Sequence, residues 1–271
     1  MVKSDTLISI GKSALGRWAV GRAPTDSSSP RLSHDQFPSA VYAIGDVHGR
    51  LDLLSRLEAQ IAAHATQWQG HVWIILLGDL IDRGPDSAQV IEHLIAPADH
   101  GHKRIVLSGN HDDAMINAMS DRTAFLRWCD YGGLETLQSY GFPPRSPTVL
   151  ASDWPKFSRT LAATIPAHHI AFIKSLPLSL TLPGFVFVHA GLVPGLAVEK
   201  QAAHDMRNFR GPFPQRPHDG GYVVVHGHTI FDRVTVTPGH IAVDTGAYQT
   251  GRLSAVCLTA DGLNDVLEAK L

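Results

Sequence analysis

From Ala40 onward the chain alternates short apolar runs with segments whose apolar residues recur at helical spacing. Val41-Tyr42-Ala43-Ile44 predicts a short buried strand, and Leu51, Leu53, Leu54 and Leu57 after it predict an amphipathic helix. The plan repeats with a strand over residues 72–77 and a helix over 87–95, then with a strand over 103–107. Residues 124–176 read as mostly helical, and after them the pattern turns to strands at 185–188, 222–225, 234–237, 241–244 and 255–259. This order predicts an α/β chain: two mixed β-sheets packed as a sandwich and flanked by helices, with a helical insertion around residues 120–180.

The first residues behave differently. Met1 to Arg22 mixes Leu7, Ile8, Ile10, Leu15 and Trp18 with Lys3, Lys12, Arg17 and Arg22, so it lacks the uninterrupted apolar core of a signal peptide. It reads as a loosely ordered tail, although the same spacing also fits a short basic amphipathic helix resting on a membrane surface or another protein. Thr25-Asp26-Ser27-Ser28-Ser29-Pro30 reads as a flexible linker, which gives a tail over residues 1–36 and one folded domain over 37–271.

Composition narrows the classes. A net charge of −2 and a pI near 6.8 provide no general field for nucleic acid. No stretch is long and apolar enough to span a bilayer. Cys129 and Cys257 stand far apart, outside any C-x-x-C spacing, so neither a disulfide framework nor a thiolate zinc site is expected. A reducing, cytoplasmic setting fits best.

The chemistry sits where the predicted strands end. The chain reads Gly45-Asp46-Val47-His48-Gly49, Gly78-Asp79-Leu80-Ile81-Asp82-Arg83-Gly84, Gly109-Asn110-His111-Asp112, His189-Ala190-Gly191 and His226-Gly227-His228-Thr229. Polar loops at the carboxyl ends of strands are where α/β folds place ligands, and oxygen and imidazole donors converging from several loops suit a pair of divalent cations. Each motif alone could be a turn, since Asp and Gly favour turns; five in order could not plausibly arise that way.

Across residues 42–247 this ordered set resembles the metallophosphoesterases of the calcineurin-like superfamily, in particular the bacterial members of the phosphoprotein phosphatase family. The resemblance implies that Asp46 and His48 bind one metal, that Asp79 bridges, and that Asn110, His189 and His228 bind the second. It implies Mn²⁺ as the favoured pair of ions, with Fe or Zn²⁺ also compatible with these donors. Direct attack on phosphorus by a hydroxide shared between the ions would need no covalent enzyme intermediate. His111 would donate a proton to the leaving oxygen, oriented by Asp82, and Arg83 would grip the phosphate. A second phosphate-binding arginine is assigned to Arg210, with Arg207 as the alternative in that loop.

The chain departs from the commoner R-G-N-H-E in having Ser108 and Asp112 at its ends. His226 fits a support for a ligand, a ligand itself or a strand-end residue. Trp128 to Gly133 resembles a segment near the active site of bacterial relatives, and Asp244-Thr245-Gly246-Ala247 a final strand-end motif. His64, His71, His100, His102, His168 and His169 have no acidic partner at ligand spacing and are read as solvated.

The function expected is a metal-dependent phosphomonoesterase, a serine/threonine and conceivably tyrosine protein phosphatase. The alternative is a symmetrical dinucleoside tetraphosphate hydrolase, whose pattern has Ala at the position of Asp82. A non-catalytic phosphate-binding scaffold is disfavoured because every ligand position is filled, and a nuclease by the weak overall charge.

Overall fold

The computed structural model describes residues 29–98, 101–213, 218 and 220–271. The expectations for Met1–Arg22 and for residues 25–28 of the linker lie outside the described residues. In chain order the strands are β1 (Arg31–Ser33), β2 (Ala40–Ile44), β3 (Val72–Leu76), β4 (Lys103–Val106), β5 (Ser179–Leu182), β6 (Phe185–Val188), β7 (Val223–His226), β8 (Thr235–Val236), β9 (His240–Ala242), β10 (Arg252–Thr259) and β11 (Gly262–Lys270). The helices are α1 (Leu51–Ala65), α2 (Ser87–Ile95), α3 (Asn110–Ala118), α4 (Arg122–Trp128), α5 (Leu134–Ser139), α6 (Pro147–Leu150), α7 (Trp154–Thr164), α8 (Ala167–Ser175), α9 (Ala203–Asn208) and α10 (Ala247–Thr250).

Two sheets result, one ordered β1-β5-β6-β7-β9-β8 and the other β11-β10-β2-β3-β4. In the second, β2, β3 and β4 are mutually parallel. In the first, β6, β7 and β9 are parallel. Strand alternation explains the layering: Val41, Ala43, Trp73, Ile75 and Ile105 point into one apolar core with Leu180, Phe187, Val225 and Ile241 of the facing sheet. Their neighbours Tyr42, Ile44, Ile74 and Leu76 point the other way, into a core shared with Leu53, Leu54, Leu57 and Ile61 of α1 and Val90 and Ile91 of α2. On the far side of the first sheet, Val186 and Val188 pack with Met206 of α9. Strands covered on both faces have no polar alternation, which is why β2 and β3 read as continuous apolar runs. Helices α4–α8 lie between β4 and β5 in the chain, with Phe125 and Phe157 packed at 5.0 Å between ring centroids.

Three strands had no sequence signal. β1 corrects the boundary placed at Phe37: Arg31, Leu32 and Ser33 pair in parallel with Ser179, Leu180 and Thr181. A three-residue edge strand is held by the open hydrogen-bonding edge of β5 and not by its own burial, so no apolar pattern marks it. β11 is long but mostly exposed, and is fixed by pairing along β10 from Arg252↔Lys270 to Thr259↔Gly262. No helix among the described residues is long and apolar enough to cross a membrane.

Phe187 is fully buried between the sheets. Phe187→Ala is expected to cost about 3–5 kcal/mol in chemical denaturation, with the slope of the transition little changed.

Candidate active site

The loops that leave β2, β3 and β4 on one sheet and β6 and β7 on the other carry every expected ligand, so the carboxyl ends of parallel strands from both sheets meet at one place. Asp46, His48, Asp79, Asp82, His111, His189 and His228 are all buried there. The backbone is unusual at the same spot. His48 (φ 46°), Asp79 (φ 49°), Asp82 (φ 73°), Arg83 (φ 69°) and His228 (φ 62°) all adopt the left-handed conformation, which costs energy for residues with a Cβ and clusters at functional sites. Space is short as well: a Cβ on Gly227 would overlap the Asp46 carboxylate, and one on Gly109 would overlap Asp79.

The donor atoms face one another in a way that calls for a cation. His48 Nδ1 donates to the Ile81 carbonyl at 2.8 Å and His189 Nδ1 to the Leu77 carbonyl at 2.9 Å, so both rings turn Nε2 inward, the nitrogen that a metal ion would take. His189 Nε2 then lies 3.0 Å from Asn110 Oδ1, 3.2 Å from His228 Nδ1 and 3.3 Å from Asp79 Oδ2, four ligand atoms around one point. His48 Nε2 is 3.7 Å from the same Asp79 oxygen. Burial presses the pKa of His48 and of His228 down to about 3, keeping both in the neutral, ligating form. Burial, with Asp244 and Asp79 nearby, pushes Asp46 well above the usual carboxylate range, and a divalent ion would relieve that repulsion. Asp79 is held low in spite of burial, chiefly by His189 and His111. Asp79, His189 and His228 have ligand atoms within 4.8 Å of one another, as do Asp79, His48 and His111. These residues fit the group that the sequence implies.

Around this cluster lies a layer of hydrogen bonds. His111 Nδ1 donates to Asp82 Oδ2 at 2.7 Å, and Asp82 also accepts from Trp128 Nε1 at 2.9 Å and from Thr136 Oγ1 at 2.7 Å. Trp128, in the segment expected near the active site, is fully buried and donates to Asp82. Asp112, with no exposure, accepts the backbone N–H groups of Asp79, Leu80 and Gly109 at 3.0, 3.1 and 2.8 Å. Glu is one methylene longer, so Asp here matches a tighter gap between α3 and the Asp79 loop.

Arg83 reaches across the mouth. Its guanidinium donates to His48 Nε2 and His111 Nε2, both at 3.1 Å, and lies over the Tyr248 ring at 4.5 Å. Arg210 is exposed and lines a cavity of about 470 Å³ together with Asn110, His111, His228, Arg127 and Tyr131. Arg207 is buried by contrast, donating from Nε to Ser108 Oγ at 3.0 Å and pairing with Asp113 at 2.8 Å. The two arginines left open by the sequence are thereby separated: one faces the cavity, the other ties α9 to α3. His226 stacks on Phe213 at 4.4 Å behind the strand, and Asp244 accepts from Gly246 N–H at 2.8 Å.

Sequence reading missed Thr136 and Tyr248, which come from elements distant in sequence from the ligand motifs, whereas Tyr131 falls within the Trp128–Gly133 segment already singled out. Of the two missed, only Tyr248 had a signal, following directly on the Asp244–Ala247 segment. Three of the histidines read as solvated need correction: His64 pairs with Asp265 at 3.2 Å, and His168 and His169 both meet Glu92, while His100 lies outside the described residues. Their acidic partners lie on other elements, where spacing along the chain cannot reveal them.

The sequence profile described as calcineurin-like phosphoesterase matches residues 39–257. The chain belongs to this family. A symmetrical bis(5'-nucleosyl)-tetraphosphatase of Nitrosococcus oceani is 29% identical over 161 residues, covering 57% of this chain and 45% of that protein. The chain spans about half the length of the curated relatives it matches first, between 45% and 54%. Among solved structures, one described as a candidate diadenosine tetraphosphatase superposes with a TM-score of 0.60 at 19% identity, covering 89% of this chain and 98% of the other. A cold-active protein tyrosine phosphatase gives 0.54 at 18%, with 88% and 80% covered. Both likenesses establish the fold of two mixed sheets with flanking helices, and the family is one of metal-dependent hydrolases.

Asp112→Ala would leave three buried N–H groups unsatisfied, and is expected to destabilise the protein by on the order of 3 kcal/mol in urea titration while loosening metal retention. Unchanged stability would show that water takes over these bonds.

Proposed function

We propose that this protein is a metal-dependent phosphomonoesterase acting on phosphoserine and phosphothreonine side chains of proteins, with phosphotyrosine as a further class, in the cytoplasm. The observation that carries this reading is the buried Asp82–His111 pair, 2.7 Å apart, beside the ligand cluster. Removal of an alkoxide leaving group from phosphorus requires a proton, and such a pair supplies one.

Asp46, His48 and Asp79 would hold one divalent ion, and Asp79, Asn110, His189 and His228 the other, with Mn²⁺ the favoured metal. When bound, the ions supply positive charge for the phosphoryl oxygens and lower the pKa of water. Arg83 would turn from the two imidazoles to the phosphate, whose oxygens suit its planar fork, while Arg210 would meet the substrate from the cavity wall. That movement frees His111 Nε2 to face the leaving oxygen. Burial works against an imidazolium at His111, but Asp79 and the Asp82 bond and charge outweigh it and hold its pKa above the ordinary histidine value. The acid form therefore persists past the usual range, and turnover of alkyl phosphates is lost as pH rises through that raised pKa.

Hydrolysis of dinucleoside tetraphosphates is a second reading, favoured by the similarity to tetraphosphatases from Nitrosococcus oceani and other bacteria. Cleavage of an anhydride expels a far better leaving group, so it depends less on His111. Asp82 favours the first reading.

The deciding experiment is Mn²⁺-supported turnover of metal-stripped protein on phosphoserine, phosphothreonine and phosphotyrosine peptides beside diadenosine tetraphosphate. Preference for peptides supports the phosphatase; efficient release of two ADP overturns it in favour of the second reading. His111→Asn is expected to keep its metals and to lose about 10²–10⁴-fold in kcat on phosphoserine, with a smaller loss on activated aryl phosphates. Equal losses on both would count against His111 as the acid. In the pH profile, Asp82→Asn removes the charge that raises the His111 pKa, so the alkaline limb is expected to move to lower pH.

A further inference from the structure

The two adjacent histidines that open α8 converge on a single oxygen. His169 Nε2 lies 2.8 Å and His168 Nε2 3.1 Å from Glu92 Oε2, with the two imidazoles edge to face, 4.5 Å apart between centroids. Successive side chains on a helix ordinarily diverge, yet here both rings turn to the same point, and the three ligand atoms lie within 4.8 Å of one another. Glu92 comes from α2 and none of the three lines the cavity beside His111. Glu92 and His168 are open to solvent, whereas His169 is buried.

Behind His169 stands Tyr140, its hydroxyl 2.7 Å from Nδ1. In the metal-free chain both Nε2–H groups donate to Glu92, which holds its carboxyl below the usual range, and the Tyr140 hydroxyl can donate to Nδ1 or accept from it. A metal ion would displace the Nε2 proton, and His169 would then donate Nδ1–H to Tyr140, the arrangement in which a metal-binding histidine is held by a partner on its other nitrogen. Two imidazoles and a carboxylate with a solvent-open fourth position match a four-coordinate Zn²⁺ completed by water.

We propose that Glu92, His168 and His169 form a zinc site, distinct from the centre at Asp79, that ties α8 to α2. Because α8 closes the run of helices leading into β5, the ion clamps this helical segment to the helix that follows the Asp79–Arg83 loop. Zinc bound there stabilises the folded chain by mass action.

The test uses full-length, metal-stripped protein titrated with Zn²⁺ by calorimetry, comparing wild type, His168→Ala, Glu92→Gln and Asp79→Asn. Wild type is expected to bind one more equivalent than His168→Ala or Glu92→Gln, and Asp79→Asn is expected to keep that equivalent while losing metal at its own centre. In the Asp79→Asn background, where the first centre is lost, Zn²⁺ at a hundredfold excess over the dissociation constant should raise Tm by about 5 °C, and this increment should vanish when His168→Ala or Glu92→Gln is added. Both altered side chains are exposed, so Mn²⁺-supported turnover in these variants serves as the check on folding and is expected to match wild type. Equal zinc stoichiometry in wild type, His168→Ala and Glu92→Gln would overturn the proposal, as would a Tm increment in Asp79→Asn that survives the addition of either substitution.

Discussion

A carboxylate buried at a left-handed turn, Asp79, is the constraint around which the site is built. A charge in that position has lost its water, and it is tolerated only because other groups answer it: the backbone N–H of His111 donates to Oδ1 at 2.9 Å, and His189 and His111 hold its pKa low in spite of burial. Asp112 in turn holds the backbone of Asp79 in its strained conformation. The sheets serve this point. Their parallel strands end there from two sides, and the close approach of Gly109 and Gly227 lets the loops meet without side chains between them.

A second tier of interactions tunes what the cluster can do. Asp82 is saturated by His111, Trp128 and Thr136, so the imidazole has one orientation, and Arg83 bridges it to His48. Such preorganisation explains why a buried Trp on α4 and a Thr on α5 belong to the chemistry through their hold on Asp82. It also gives the helices between β4 and β5 a role: they deliver the groups that fix Asp82. Ser108 and Arg207 show a related economy, since a guanidinium from α9 donates to the hydroxyl beside the Asn110 loop, where commoner sequences have an arginine in the chain itself.

Much of this was legible in the sequence because the informative strands are buried on both faces and end in the ligands themselves. β2 and β3 announce themselves by unbroken apolar runs, and Asp46, His48, Asp79, Asn110, His189 and His228 follow in a fixed order that structure brings to one place. The edge strands were not legible: Arg31–Ser33 and the polar β11 exist through pairing with a neighbour, which leaves no periodic mark. The same limit applied to side chains. Thr136 on Asp82, Tyr248 under Arg83 and Glu92 between His168 and His169 are contacts made in three dimensions by residues distant along the chain. Arg207 and Arg210, three residues apart, differ in burial, a contrast that spacing along the chain does not reveal.

The central claim is that Asp79 joins two metal ions held by these donors. A crystal structure of the Mn²⁺-loaded protein with anomalous scattering data measures it directly. The account predicts two anomalous peaks, each within bonding distance of the Asp79 carboxylate, one shared with Asp46 and His48 and the other with Asn110, His189 and His228. A single peak, or two peaks that Asp79 does not touch, would contradict it.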